Sequence, residues 1–123
     1  MKPQVPADIP LSKWLYWGFP DQSRKIADGF YLVSTPSHGG YIVSQDRLEK
    51  MPKEFREVGY GADRGCFEED CAWALPVLFY PAEYRAYSES LGLTDTDQVF
   101  DAARRTVAAM YPAIAAAHPY LMR

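Results

Sequence analysis

Two short apolar runs rich in β-branched and aromatic residues, Phe30-Tyr31-Leu32-Val33-Ser34-Thr35 and Tyr41-Ile42-Val43-Ser44, are separated by Pro36 to Gly40. β-branched and aromatic residues in such runs predict strands, and the Pro-Ser-His-Gly-Gly break between them predicts a β-hairpin. Ser44 then stands where it can cap a short helix over Asp46–Met51, which Pro52 stops. Three glycines between Gly59 and Gly65 predict a loop. From Glu68 the pattern turns almost wholly apolar between Ala72 and Tyr80, which predicts a buried helix with Glu68, Glu69 and Asp70 in its first turn and a kink or break at Pro76. Pro81 opens a helix that runs to Leu91 and ends at Gly92. Thr94 is placed to cap Asp95–Met110, with Asp97 in the capping-box position and Val99, Phe100, Ala103, Val107 and Met110 as the apolar stripe. A short alanine-rich segment follows Pro112.

The predicted architecture is α+β: a small antiparallel hairpin or sheet packed against three to four helices. Residues 30–123 form one domain, and an isolated hairpin needs the helix around Trp73 to cover it. Residues 1–29 form a proline- and aromatic-rich N-terminal segment expected to pack on that domain. Within this segment Asp21 to Asp28 is polar and reads as a loop or helical turn. Its cluster Trp14-Leu15-Tyr16-Trp17 is too apolar for a free tail, and Trp14 and Trp17 are candidate anchors for a partner.

Composition narrows the function. The chain has 123 residues, 48% of them hydrophobic, enough for one core. A net charge of −3 argues against a basic face that grips nucleic acid directly. Between Glu68 and Asp101 eight acidic residues stand against the single basic Arg85, which makes an acidic sector. Of these, Glu83, Glu89, Asp95, Asp97 and Asp101 are the candidate partner-binding carboxylates. Eighteen aromatics, nine of them tyrosine, exceed what a small core needs and are compatible with a protein interface, including a homodimer.

Candidate chemistry is sparse. His38 lies in a glycine-bearing turn and, beside a carboxylate of Glu68, Glu69 or Asp70, makes either an acid–base pair or a structural tie. Cys66 and Cys71 have no second pair, so neither a metal site nor any other cofactor is expected, and the thiols are read as free. No apolar stretch reaches the ~20 residues of a membrane span, and no secretory leader is visible, so a cytoplasmic protein without membrane contact is expected.

The motif pair Thr35-Pro36-Ser37-His38-Gly39-Gly40 and Glu68-Glu69-Asp70-Cys71-Ala72-Trp73-Ala74, with Ser44, Arg47 and Pro52 between and Tyr111-Pro112 after, resembles a domain-of-unknown-function family of proteobacterial phages, plasmids and integrated elements. The resemblance covers Gly29 to Pro112. It implies a mobile-element protein, and small acidic proteins of that context often inhibit host defence, as anti-CRISPR or anti-restriction proteins do. The expected function is therefore a non-enzymatic binding protein that occludes the basic surface of a host defence protein or CRISPR effector subunit. The alternatives are a small enzyme built on His38 with a carboxylate of Glu68 to Asp70, and an accessory mobile-element domain without an inhibitory role.

Overall fold

The computed structural model describes residues 5–123. The first four residues of the N-terminal segment, Pro3 among them, lie outside that range. Four strands, β1 (Gln22–Ala27), β2 (Phe30–Ser34), β3 (Gly39–Val43) and β4 (Cys66–Glu68), form an antiparallel meander in the order of the chain. Six helices surround it: α1 (Leu11–Trp14), α2 (Gln45–Lys50), α3 (Ala74–Phe79), α4 (Pro81–Ser90), α5 (Thr96–Met110) and α6 (Pro112–Ala117). Short 3-10 turns lie at Lys53–Glu57, Ala62–Arg64 and Pro119–Met122. The fold is α+β.

Alternation along the strands divides the interior in two. Phe30, Tyr41, Val43 and Phe67 face one way and join Leu75, Val77, Leu78, Tyr84, Phe100, Ala103 and Val107 of the helices in the main core. Tyr31, Val33, Ile42 and Cys66 face the other way and pack with Ile9 and Trp14. The segment ahead of the sheet thus covers its second face, and β3 is buried at all five positions. The period of two that the pleat imposes makes one strand serve two cores.

Three expectations are corrected by the structure. Asp21 to Asp28 is neither loop nor helix but carries the edge strand β1, whose pattern is masked because Ile26 is its one buried side chain. Such a charged edge is a usual protection against further strand pairing. Glu68, Glu69 and Asp70 are not the first turn of a helix: Glu68 ends β4, paired with Gly40, and α3 starts only at Ala74. Cys66 and Phe67 each fill a different core, which a strand permits and a helix would not. Pro76 neither kinks nor breaks α3, because it sits in the first turn, where its missing N–H has no intrahelical partner to lose.

The capping box at Thr94 is likewise absent. Asp95 precedes α5 without a side-chain cap, and Thr96 is the first helical residue. Its hydroxyl instead meets that of Ser88 across the α4–α5 interface, where both side chains are buried. Ser44, by contrast, caps α2 as its position predicts, its Oγ accepting from Arg47 N at 3.3 Å.

The turn between β2 and β3 is closed by its own backbone. Thr35 N and Thr35 Oγ1 both donate to His38 O at 2.7 Å, and His38 N donates to Thr35 Oγ1 at 3.1 Å. Gly39 and Gly40 lie past this turn, inside β3, opposite Ser34 and Val33. Gly40 has a spatial reason: a Cβ there would stand 2.1 Å from Phe67 O of β4. The glycine lets two backbones approach where a side chain would part them.

Candidate functional site

The hairpin turn and the end of β4 bring His38 and Glu68 together. His38 Nδ1 lies 3.8 Å from Glu68 Oε1, with 55% of the imidazole and 35% of the Glu68 side chain exposed. At that separation the two groups make no hydrogen bond, and an ion pair forms only when the imidazole is protonated. Glu69 and Asp70 are exposed in the turn that follows; Glu69 contributes its backbone, its N–H reaching Gly39 O at 3.0 Å. The cluster is a surface feature at one end of the sheet.

The acidic sector is sorted by its partners. Arg47 donates to Glu83 Oε2 at 2.7 Å and to Asp28 O at 2.6 Å, and its guanidinium lies 4.6 Å from the centre of the Tyr80 ring. Glu83 is therefore tied to α2. Asp97 meets Arg85 at 3.0 Å and Asp101 meets Arg104 at 2.8 Å, both on exposed helix surface. Glu89 and Asp95 are exposed and in no ion pair among the described residues. They flank the turn between α4 and α5.

That turn has a defined shape. Gly92, with φ +69°, donates to Glu89 O at 2.9 Å, and Leu93 N donates to Ser88 O at 3.1 Å. This pair of bonds is a Schellman motif, which satisfies the last carbonyls of α4 and fixes the chain after it. Leu91 and Leu93 are left 47% and 46% exposed. The turn thus presents two leucines with Glu89 on one side and Asp95 on the other, an arrangement the acidic residues alone did not reveal.

Of the N-terminal aromatics, Trp14 is 3% exposed and edge-on to Tyr31, so it serves the second core rather than a partner's surface. Trp17 is half-buried against the same core and packs edge-on with Tyr16. Cys66 is buried, which pushes its thiol up to about 12, and Cys71 is partly exposed; both are free thiols.

Arg56, Glu57, Tyr60, Asp63 and Arg64, with Tyr16 opposite, line an open hollow of about 680 Å³ that no sequence motif announced. A second hollow of about 660 Å³ lies around Asp28, Ser44, Arg47 and Glu83. Neither includes His38.

A family model described as Domain of unknown function (DUF7007) matches residues 14–119. The chain belongs to this family. The DUF7007 match reaches back to Trp14, well before the Gly29 to Pro112 stretch that carries the motif pair, so the aromatic cover of the second sheet face lies largely within the family domain. It also takes in all four strands and the helices from α2 to α6. No curated protein and no solved structure matches the chain. Among the described residues no helix is long and apolar enough to cross a membrane, and no group of three or more His, Cys, Asp or Glu gathers as a metal site.

Proposed function

We propose that this DUF7007 domain is a non-enzymatic binding module that docks through the α4–α5 turn onto a protein with a basic surface. The observation that carries the reading is the pair Leu91 and Leu93, nearly half exposed on a turn fixed by backbone hydrogen bonds and flanked by the unpaired carboxylates Glu89 and Asp95. Apolar centres with polar rims are the usual anatomy of a protein interface. A pre-shaped turn also loses little conformational freedom on binding. The rim charge selects a partner rich in Lys and Arg and speeds the encounter.

A protein whose basic groove otherwise holds nucleic-acid phosphates fits this description, because carboxylates compete for the same donors. The resemblance to mobile-element proteins makes a host nucleic-acid-targeting defence complex, of the CRISPR or restriction type, the member of that class to test first. Binding of the purified domain to a panel of such complexes should weaken with added salt. It should be lost in a variant carrying Leu91→Ser, Leu93→Ser, Glu89→Lys and Asp95→Lys that still melts cooperatively. A folded variant that binds as the parent does would refute the docking turn, and no binding across the panel would refute the defence-complex assignment.

A further inference from the structure

Two hydroxyls lie buried at the base of the α4–α5 turn. Ser88 of α4 and Thr96 of α5 are, with Lys13, the buried polar side chains among the described residues. Ser88 Oγ and Thr96 Oγ1 hydrogen-bond to each other. A hydroxyl inside a helix commonly returns to a carbonyl one turn back, as Thr106 of α5 does with Ala102 O at 2.9 Å. Ser88 reaches across to the next helix instead.

The seam between α4 and α5 has three ties. Tyr84 and Phe100 meet edge-on with ring centres 5.8 Å apart, Arg85 meets Asp97 at 3.0 Å on the exposed side, and the hydroxyl pair stands closest along the chain to the turn. Ser88 also holds the turn through its backbone, since its carbonyl accepts from Leu91 N at 3.2 Å and from Leu93 N at 3.1 Å. One residue thus grips both leucines by its main chain and the start of α5 by its side chain. Burying hydroxyls brings no gain that apolar side chains of the same shape would not bring. What the pair adds is direction, because an apolar contact tolerates sliding and rotation and a hydrogen bond does not.

We infer that Ser88 and Thr96 are the positioning pair of the docking turn. Their hydroxyl bond fixes the register of α5 against α4, and with it the placement of Leu91 and Leu93 between Glu89 and Asp95. Setting register is the best-attested use of a buried polar pair. The inference deepens the reading of this turn as a docking surface and rests on it for its purpose, while the placement itself is a property of the free domain. A partner then meets a shape already made, and less freedom is lost on binding. Without the pair the same leucines and carboxylates are present but no longer held in one arrangement.

The test is amide hydrogen exchange of the full chain without any partner, read at Gly92 and Leu93 in the turn and at Val43 in β3, beside thermal melts. Ser88→Ala combined with Thr96→Val removes both hydroxyls and strands neither, so the melt should stay close to that of the parent. Exchange at Gly92 and Leu93 should quicken about tenfold in this double variant while Val43 keeps its parent rate. Thr96→Ser, which retains the hydroxyl, should keep the slow exchange of the parent. Turn amides unchanged in the double variant overturn the inference, and so does equal quickening at Val43, which would make the pair a support of the whole fold. Thr96→Ser exchanging as fast as the double variant overturns it too, by assigning the effect to the lost methyl group. Because no partner enters, a failure here leaves the binding test of the turn standing, and a failure to bind leaves these rates readable.

Discussion

The ammonium of Lys13 donates to the carbonyl oxygen of Val43 at 2.7 Å, with the side chain 7% exposed. This bond pins the N-terminal segment to the end of β3, 30 residues away. Burial holds the Lys13 amine below its ordinary value of 10.5. Unfolded Lys13 thus binds a proton more tightly than folded Lys13, and the stability due to this site rises with pH from its lowered folded value up to 10.5. The difference in unfolding free energy between the parent and Lys13→Met should rise in favour of the parent across that alkaline window. Urea melts at several pH values measure it, and a difference that does not vary with pH would show the ammonium to be unperturbed.

Glu54 accepts from His118, which sits edge-on to Phe55. That hydrogen bond, more than the charge of the imidazole, holds the Glu54 carboxyl below its usual range. A depressed carboxyl contributes stability above its ordinary value and loses it as pH falls through the lowered folded value. Glu54→Gln should therefore lower stability most at neutral pH, where the contribution is complete, and flatten the acid limb of the stability profile, with parent and variant converging as pH falls. Denaturant midpoints read on both sides of the carboxylate range check this.

Gly40 and Gly59 make a matched pair for substitution by alanine. A Cβ at Gly40 meets Phe67 O at 2.1 Å, whereas one at Gly59 meets nothing within 4 Å. Gly40→Ala must part β3 from β4 and should cost about 3 kcal/mol or more, while Gly59→Ala should stay within roughly 0.5 kcal/mol of the parent. Equal effects on the denaturant midpoint would remove the close-approach argument.

Glu83 and Glu89 belong to one helix and should respond differently. Glu83→Gln breaks the 2.7 Å contact with Arg47 and should destabilise by about 1 to 2 kcal/mol without altering partner binding. Glu89→Lys should leave the melt unchanged and slow association with a basic partner. Thermal melts paired with association rates separate the two roles.

His38→Ala is expected to stay within about 0.5 kcal/mol of the parent, because the turn is held by Thr35 and by the His38 backbone rather than by the imidazole. A larger loss would mean that the contact with Glu68 supports the fold.

How much of this was legible in the sequence depended on where each residue's neighbours lie along the chain. The hairpin, the Ser44 cap, Pro81 and Pro112 at helix starts and Gly92 at a helix end are local signals, and they predict their elements directly. β1 was hidden because an edge strand with one buried residue has almost no apolar period. β4 was hidden because Cys66, Phe67 and Glu68 are too few to show one, and their strand character comes from β3, some 25 residues earlier. The carboxylates were visible, but their pairing with Arg47, Arg85 and Arg104 was not, nor was the meeting of Tyr16 with the Gly59-to-Arg64 loop. Those are contacts across the fold, and composition cannot assign them.

The two-sided burial of β3 also sets an order of assembly. Ile9, Lys13 and Trp14 are made before the sheet they pack on, yet the surface they cover is complete only when Cys66 of β4 has been added. That segment therefore waits for its full docking surface through some fifty residues of synthesis. Slowing translation between the Ser44 and Cys66 codons should lengthen that wait and lower the yield of soluble protein, whereas the same pause placed after α3 should leave it unchanged.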